Sequence, residues 1–189
     1  MMIEAAVFDA CVLYSAPIRD FLLRLGYAKL VRPFWSEEIH VEWMRSLLNK
    51  RSKLYQERLE RTRREMDMKF PHSLVTGYET LIPTLQLPDP KDRHVLAVAI
   101  HAKATFIVTF NLKDFPASAL VPYGVQAISP DDFAVRLIDY DPDALLDAVA
   151  GHRAALKNPA KTVEEYLDTL EQQRLFKTVA FPREHQKEI

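Results

Sequence analysis

The stretch Leu85–Pro116 most constrains what this chain can fold into, because it pairs a helix pattern with a buried-strand pattern. Asp89 followed by Pro90 is typical of a helix N-cap and first helical residue, so we expect a helix to begin there and to reach about Lys103. The run Thr105–Phe110 is β-branched and aromatic throughout, which indicates a strand buried on both faces of a parallel sheet.

Polar residues flank both of these predicted elements. Asp89 and Asp92 lie at the start of the helix, and Asn111 and Asp114 follow the strand. In an open parallel sheet, ligands bind in the crevice beyond the carboxyl ends of the strands. The sequence therefore places its candidate chemistry at this edge of the sheet.

Strand and helix patterns alternate from the N-terminus to residue 138, which predicts an α/β fold with a central parallel sheet. A short apolar run ending at Asp9 predicts a first, central strand. Two other patterns set helix boundaries: Gly26 is expected to follow the last residue of a helix that begins at Pro17, and Ser36 to cap the next one. The predicted strands are 3–8, 30–35, 105–110 and 124–128, and the predicted helices are 17–25, 36–49, 51–68, 79–82, 89–103 and 129–138.

The pattern changes after Asp139, where helices continue without strands. Asp141 with Pro142 predicts one helix start, and Thr162 with Glu165 forms a capping box for another. The residues 181–189 have too little apolar content to order themselves alone. We therefore predict two regions: an α/β domain, 1–138, and a C-terminal helical extension with its tail, 139–189.

Composition narrows the functional classes. The 189 residues include one cysteine, Cys11, so no internal disulfide can form and a reducing cytoplasm is expected. The N-terminal residues lack the basic start of a signal peptide, and no apolar run approaches the roughly 18 residues of a membrane span. We expect a cytoplasmic protein that is neither exported nor embedded in a membrane.

Charge is unevenly distributed although the net charge is −1. From Trp43 to His72 there are nine basic residues and four acidic ones, whereas acids outnumber bases after Asp139. A basic middle region could face a polyanion, or it could be a solvated helix with ordinary ion pairs. The sequence leaves these two interpretations open.

The acidic residues near the predicted sheet edge each have an ordinary structural explanation. Asp92 could cap its helix, Asn111 and Asp114 could form turns, and Glu42 could lie on the surface. Asp9 is harder to explain as a cap, because the next helix is predicted to begin only at Pro17.

Taken together, these groups indicate a metal site. Three carboxylates and an amide at one edge are costly unless a cation lies between them. Oxygen ligands select hard ions such as Mg²⁺ or Mn²⁺. His94 and His101 are expected to be packed or solvated rather than to bind the ion.

Other α/β enzymes can be compared at the same positions. A haloacid-dehalogenase phosphatase needs a second Asp two residues after the first, and this chain has Cys11 there. A response regulator needs an acidic pair before its first helix and a lysine at the end of a late strand, and neither is clear. Neither a phosphate-binding GxxxxGK[ST] loop nor a GxGxxG loop occurs.

Four segments in order, VFDACVL, SEEIHVEW, DPKDRHVLAVAI and IVTFNLKDFP, resemble PIN-domain proteins of the VapC-like group. These are metal-dependent ribonucleases that often act as the toxin of a toxin–antitoxin pair. The resemblance covers about residues 3 to 138 and implies a PIN-like three-layer sandwich around the parallel sheet. Where the family commonly has Asn two places after its first Asp, this chain has Cys11.

The resemblance also implies roles for individual residues. The family's acidic cluster falls on Asp9, Glu42 and Asp92, with Asn111 in the fourth place. We add Asp89, Thr109 and Asp114 as supporting positions, and the basic middle region leads us to expect that Arg61, Arg63 and Arg64 contact the RNA backbone.

In this interpretation Asp9 and Asp92 hold Mg²⁺ or Mn²⁺, which activates water for in-line attack on a phosphodiester. Glu42 would hold a second ion or orient the water. The expected partners are an RNA substrate, an antitoxin protein and a second copy of the chain in a homodimer. The alternative from another functional class is a non-catalytic PIN-fold module that binds a partner protein or RNA.

Overall fold

The computed structural model describes residues 3–48 and 53–189. Four strands form one sheet in the order β2-β1-β3-β4. Strand β3 pairs in parallel with both β1 and β4, and β1 lies in the interior of the sheet as predicted. The strands are β1, Glu4–Phe8; β2, Val31–Phe34; β3, Phe106–Val108; and β4, Gln126–Ile128.

The strand β3 is shorter than the predicted run 105–110. Its three residues are all buried, which agrees with the prediction of a strand covered on both faces. The backbone N–H of Asp9 donates to the carbonyl of Val108 at 3.2 Å, and the N–H of Thr109 donates to the carbonyl of Ile128 at 3.0 Å. Pairing therefore ends where the chain leaves the sheet, and the polar residues that follow β3 belong to a loop.

Ten α-helices occur in the described residues, joined by several short 3₁₀ segments, including Glu79–Thr84 and Pro90–Asp92. The first five helices are α1, Ala10–Leu13; α2, Ala16–Tyr27; α3, Glu37–Leu48; α4, Lys53–Lys69; and α5, Arg93–His101. The other five are α6, Ala117–Leu120; α7, Pro130–Tyr140; α8, Pro142–Ala155; α9, Val163–Gln172; and α10, Ala180–Glu184. The predicted ends of two helices, at Asn49 and at residues 51–52, lie outside the described residues.

Two predicted helix boundaries were wrong. A short helix, α1, begins directly after Asp9, where we expected a turn up to Pro17. Gly26 does not end α2, which continues to Tyr27 and is followed by Lys29 with a φ of 60°. The N–H of Leu30 bonds to the carbonyl of Leu25 at 3.1 Å, so the left-handed residue that closes this helix is a lysine.

The chain divides into two compact units that do not follow chain order. One unit contains Glu4–Tyr14 and Arg32–Ile128. The other contains Ser15–Val31 and Ser129–Ile189, together with the start of the chain. The division into an α/β domain, 1–138, and a C-terminal extension, 139–189, stays a prediction.

The first unit is built around the sheet. Helix α5 packs on β1 and β3, and α3 packs on α1 and α4. Its core includes the fully buried Trp35 and Trp43 together with the apolar residues of α5. Apolar residues nearly all round α5 agree with a helix that is covered on most sides.

The second unit is helical. Helix α8 packs on α2 and α7, and α9 packs on α2. His152 of α8 and Tyr166 of α9 meet inside this unit, with Nδ1 and the hydroxyl 2.9 Å apart. Apolar residues of these two C-terminal helices are buried, namely Leu145, Val149, Tyr166, Leu167 and Leu170.

The tail is ordered through contacts with the preceding helices. Arg183 of α10 contacts Glu171 at 3.0 Å and Asp168 at 3.1 Å, and Ile189 is buried. None of the described helices is long and apolar enough to cross a membrane. The predicted α/β class, with a central parallel sheet and C-terminal helices, is confirmed.

Candidate active site

The predicted site residues come together in the sheet-containing unit. Asp9 follows β1, Glu42 lies in the middle of α3, Asp92 immediately precedes α5, and Asn111 follows β3. All four line one cleft of about 550 Å³. The complete lining is Asp9, Ala10, Cys11, Tyr14, Glu42, Arg45, Ser46, Asp89, Lys91, Asp92 and Asn111.

Asp9 is buried and held by three donors. Its Oδ1 accepts a hydrogen bond from the N–H of Ala10 at 2.7 Å, so Asp9 caps α1. Its Oδ2 accepts from the Thr109 hydroxyl at 2.7 Å and from the Cys11 thiol at 3.1 Å. The expectation that Asp9 caps no helix was therefore wrong, because the carboxylate both caps α1 and faces the cleft.

Thr109 and Cys11 link the two strand ends that meet at the cleft. The Thr109 hydroxyl accepts from the N–H of Asn111 at 3.0 Å, and Cys11 Sγ accepts from the N–H of Phe110 at 3.3 Å. Burial and the charge of Asp9 raise the pKa of Cys11 to about 12. The thiol therefore stays protonated at neutral pH and remains a donor to the carboxylate.

Asp92 differs from Asp9 in its surroundings. Its side chain makes no capping hydrogen bond to α5, and none of the described residues donates to it, so the capping explanation does not apply. Burial raises the pKa of Asp92 to about 6, helped by the negative charges of four acids. These four acids are Asp9, Asp89, Asp114 and Glu42.

Glu42 is oriented by a buried histidine that the sequence gave no reason to place at the site. His94 Nε2 lies 3.1 Å from Glu42 Oε1, and His94 Nδ1 lies 3.7 Å from Glu38 Oε2. Burial lowers the pKa of His94, but the hydrogen bond and charge of Glu42, with Glu38 and Asp9 adding to them, leave it raised overall. The hydroxyl of Tyr78 donates to Glu38 at 3.1 Å.

The remaining predicted positions differ in how they meet the cleft. Asp89 lines it and also caps the 3₁₀ segment, with its Oδ1 accepting from the N–H of Lys91 at 2.9 Å. Thr109 does not line the cleft but holds Asp9. Asp114 also lies outside the lining, although its charge acts on Asp92.

The donor set fits a hard divalent ion. Among the residues that the structure describes, no three carboxylate, imidazole or thiol groups are close enough to form a ready-made metal centre. The cleft nevertheless offers oxygen ligands from Asp9, Glu42 and Asp92, and burial together with the charges of the neighbouring acids raises the pKa of Asp92. An entering cation would relieve that repulsion, and binding requires these side chains to converge on it.

The three arginines predicted to bind RNA lie on α4 and differ in their contacts. Arg61 pairs with Glu65 at 2.9 Å, and Arg63 Nη2 lies 2.6 Å from Glu37 Oε2. Arg64 is exposed and forms no ion pair with any described residue. Arg61 and Arg63 therefore have acidic partners in the folded chain.

The structure adds cleft residues that the sequence analysis missed. Arg45 lies three residues after Glu42 on α3, and the i,i+3 spacing could have shown that both lie on one helix face. Lys91 immediately precedes Asp92, and Tyr14 ends α1. His94 carried only a weak signal, because a histidine on an apolar helix is usually a packed residue.

Two protein families and one relative match parts of this chain. The PIN domain family matches residues 5–113, and the VapC50 C-terminal domain family matches residues 130–184. A protein named "Putative ribonuclease VapC50" of Mycobacterium tuberculosis is 40% identical over 107 residues, which are 54% of this chain and 63% of that protein. The chain thus matches less than two thirds of that relative's length.

No solved structure matches the chain significantly. The match to the PIN domain includes Asp9, Glu42, Asp92 and Asn111, and it extends over more than half of the chain. The resemblance drawn from the four sequence segments is confirmed. The chain belongs to the PIN-domain family.

Proposed function

We propose that this protein is a metal-dependent endoribonuclease and the toxin of a toxin–antitoxin pair. The observation that carries the proposal is the cleft in which Asp9, Glu42 and Asp92 lie together, with burial and neighbouring acids raising the pKa of Asp92 to about 6. Carboxylates that raise one another's pKa in this way are costly in a purely structural role. They suit a site that takes up a divalent ion.

When bound, Mg²⁺ or Mn²⁺ supplies Lewis-acid stabilisation of the phosphate and activates water as the nucleophile. Asp9 and Asp92 would hold the ion, and the bonds from Thr109 and Cys11 keep the Asp9 carboxylate in place. Glu42 uses one oxygen to bind His94, and its other oxygen remains for the attacking water or a second ion. The Asn111 side chain offers an amide that can hydrogen-bond water or the scissile phosphate.

Basic residues on α4 supply a sequence-independent part of RNA binding in this proposal. Arg64 is exposed, whereas Arg61 and Arg63 must exchange their acidic partners for phosphate. Their share of the affinity is consequently smaller than that of three unpaired arginines. It should still depend on salt, since phosphate contacts release counterions.

The relative and the family matches support an RNA substrate and an antitoxin partner. The M. tuberculosis protein carries the name of a putative ribonuclease, and the VapC50 C-terminal domain family matches residues 130–184 of this chain. We accordingly propose a cytoplasmic location, an antitoxin partner and a homodimer. We also propose that 1–138 is the nuclease domain and 139–189 a helical extension.

A cleavage assay on total cellular RNA tests the proposed activity. The full-length protein should cut RNA with Mg²⁺ or Mn²⁺ and stop when EDTA is added. Asp9→Asn should be inactive, while Asp147→Asn, which removes an exposed acid of α8, should cut like wild type. Cleavage that persists in EDTA or in Asp9→Asn would overturn the proposal.

The non-catalytic binding module gives a different result in the same assay. It would bind RNA or a partner protein without metal-dependent cleavage at any concentration. A reading frame for a small antitoxin directly beside this gene would favour the toxin. A chain that binds RNA equally well with and without Asp9→Asn and never cuts it would favour the module.

A further inference from the structure

A second cavity of about 470 Å³ adjoins the acidic cleft. Three residues line both spaces: Glu42, Arg45 and Lys91. The two cavities therefore share a wall that carries one proposed metal ligand and two cations. A volume of this size is within the range of small-molecule and nucleotide sites.

We propose that this second cavity is a subsite for a nucleotide beside the scissile phosphate, with Arg45 and Lys91, on the shared wall, each contacting one phosphate of the adjoining RNA backbone. The inference rests on the proposed ribonuclease function and deepens it by assigning the path of the RNA chain. It also adds two residues to the binding site, and neither lies on α4.

The positions of the two cations support this assignment. Arg45 lies one helical turn after Glu42, and Lys91 lies one residue before Asp92, so each adjoins a proposed metal ligand. Both side chains are exposed, and neither forms an ion pair or hydrogen bond with another residue in the described ranges. They are free to bind phosphate, in contrast to Arg63, which Glu37 engages at 2.6 Å.

Electrostatics gives a reason for cations at this place. A polyanion entering a cleft lined by Asp9, Asp89 and Asp92 meets repulsion, which the bound ion offsets only at the scissile phosphate. Arg45 and Lys91 would offset it at the neighbouring phosphates. Arginine can also form two parallel hydrogen bonds to one phosphate, which fixes its orientation.

The wall of the second cavity suits a base. Val41, Ile82 and Pro90 line it, and Val41 is 40% exposed although it lies on the helix that carries Glu42. An exposed β-branched residue between charged neighbours gives an apolar surface on which a base can rest. The nucleotide would then be held by charge at its phosphate and by contact area at its base.

The acids of the second cavity do not contradict a nucleotide site. Glu37 forms an ion pair with Arg63. Glu38 accepts a hydrogen bond from the Tyr78 hydroxyl and lies near His94. Their charges are partly compensated by these partners. On the wall that borders the cleft, Glu42 bonds to His94, whereas Arg45 and Lys91 have no such partner among the described residues.

The first test measures binding and cleavage of a fluorescent single-stranded RNA by the full-length protein with Mg²⁺. Arg45→Gln with Lys91→Gln should weaken binding about twentyfold near 0.1 M salt and lower the log–log salt slope by about 1.4, for two single-strand phosphate contacts. KM should rise while kcat changes little. Binding is measured in the Asp9→Asn background to prevent cleavage.

The matched control is Arg32→Gln with Lys103→Gln. It removes the same charge from exposed positions on the edge strand β2 and just after the C-terminal end of α5. The control should leave both the affinity and the salt slope unchanged. Equal effects of the two double variants would overturn the subsite, because charge removal anywhere would then explain the loss.

The second test probes the base. Abasic nucleotides are placed one at a time around the cleavage position, and one neighbouring position should cost about fivefold in affinity. That cost should shrink in Val41→Ala but not in Val121→Ala, which shortens another exposed valine. A cost that is the same in both variants, or none at any position, would overturn the proposal.

The outcomes also separate this inference from the proposed function. If wild type never cleaves RNA, the ribonuclease proposal fails, and the binding measurements still test the cavity. If wild type cleaves but the double variant at Arg45 and Lys91 matches its control, the subsite alone fails. Cleavage together with a selective loss of affinity supports both.

Discussion

Two buried or half-buried aspartates at the beginnings of helices have opposite surroundings. In the helical unit, Asp131 of α7 accepts hydrogen bonds from the Thr178 N–H at 2.8 Å, the Thr178 hydroxyl at 2.7 Å and the Lys177 N–H at 3.0 Å. In the sheet unit, Asp92 receives no hydrogen bond from the described residues, and other acids act on it. A carboxylate that serves the fold is surrounded by donors, whereas Asp92 is surrounded by like charges.

The presence or absence of hydrogen-bond donors around an acid separates structural acids from candidate functional ones better than the burial of the acid does. Asp9 is buried and accepts hydrogen bonds from several donors, as a structural acid does. It also lines the cleft, as a candidate functional acid does. Asp92 is more exposed and has the raised pKa. Removing Asp92 should therefore raise stability and lower activity, whereas removing Asp131 should lower stability.

The largest expected effect is on the activity of Asp92→Asn. Cleavage should fall by at least about a hundredfold, because charge stabilisation by a held metal ion is worth several kcal/mol. The measurement is the initial rate of RNA cleavage with Mg²⁺, with Asp147→Asn as the control. A variant that keeps most of its activity would remove Asp92 from the proposed metal ligands.

The second prediction concerns Asp131→Ala. Three donors lose their acceptor inside the helical unit, so the free energy of unfolding should fall by about 3 kcal/mol. For a chain of this size the melting temperature should drop by roughly 6–12 °C. Thermal denaturation checks this, and Asp131→Asn, which keeps one acceptor oxygen, should lose less. An unchanged melting temperature would break the comparison with Asp92.

The third prediction uses the buried His152. Burial, with the charge of Arg24 adding to it, lowers the pKa of His152 to about 4. The unfolded chain takes up this proton near pH 6.5, so stability is lost as the pH falls from there towards 4. At pH 5 the loss is about 2 kcal/mol, since each pKa unit corresponds to about 1.4 kcal/mol.

The measurement is denaturant unfolding of wild type and His152→Gln at pH 7 and pH 5. The variant loses the bond to the Tyr166 hydroxyl and should be less stable at pH 7. The gap between the two proteins should narrow by about 2 kcal/mol at pH 5, because only wild type has a histidine to protonate. A gap that stays constant would show that His152 is not kept neutral by the fold.

The fourth prediction returns to Asp92 and its stability. Its folded pKa of about 6 exceeds the unfolded value of 3.8, so stability falls as the pH rises from about 4 to 6 and stays lower above that. Asp92→Asn removes this loss. After allowance for solvent screening, the gain at pH 7.5 without metal is about 1 kcal/mol, or roughly 2–4 °C in melting temperature.

The control for the fourth prediction is the same comparison of melting temperatures at low pH. Near pH 3.5, where Asp92 is protonated in both states, wild type and Asp92→Asn should melt at similar temperatures. A lower melting temperature of the variant at pH 7.5 would mean that Asp92 supports the fold, as Asp131 does.

The smallest effect is expected from Arg61, Arg63 and Arg64. Replacing all three by Gln should lower the salt slope of RNA binding by less than the full value of about 0.7 per residue, because Glu65 and Glu37 already engage two of them. Binding measured between 50 and 200 mM salt checks this. If the salt slope falls by more than it does in the double variant at Arg45 and Lys91, the RNA binds mainly along α4.

Much of the fold could be predicted from local sequence. Helix caps at Ser36, Ser129 and Thr162 use side chains that reach backbone groups within three residues, so the sequence carries the whole interaction. The interior position of β1 could be predicted from its unbroken apolar run. The family resemblance extended this to Asp9, Glu42, Asp92 and Asn111, and the structure places all four on one cleft.

The end of α2 and the existence of α1 could not be predicted from the same local rules. Lys29 adopts the left-handed conformation where a glycine was expected, and Asp9 caps a helix of only four residues. Propensity is a weak guide in such short segments, because tertiary contacts outweigh differences of a few tenths of a kcal/mol. At the start of α1, the Asp9 carboxylate that caps the helix also accepts hydrogen bonds from Thr109 and Cys11.

The sequence by itself determined the alternation of elements, the capped helix starts and the acids that follow the strands, because these depend on neighbours along the chain. Only the tertiary structure decided which charges are compensated. His94 meets Glu42 across 52 positions, and Asp131 meets Thr178 across 47. Electrostatic energy depends on distance and burial in space, and a one-dimensional pattern contains neither for residues so far apart.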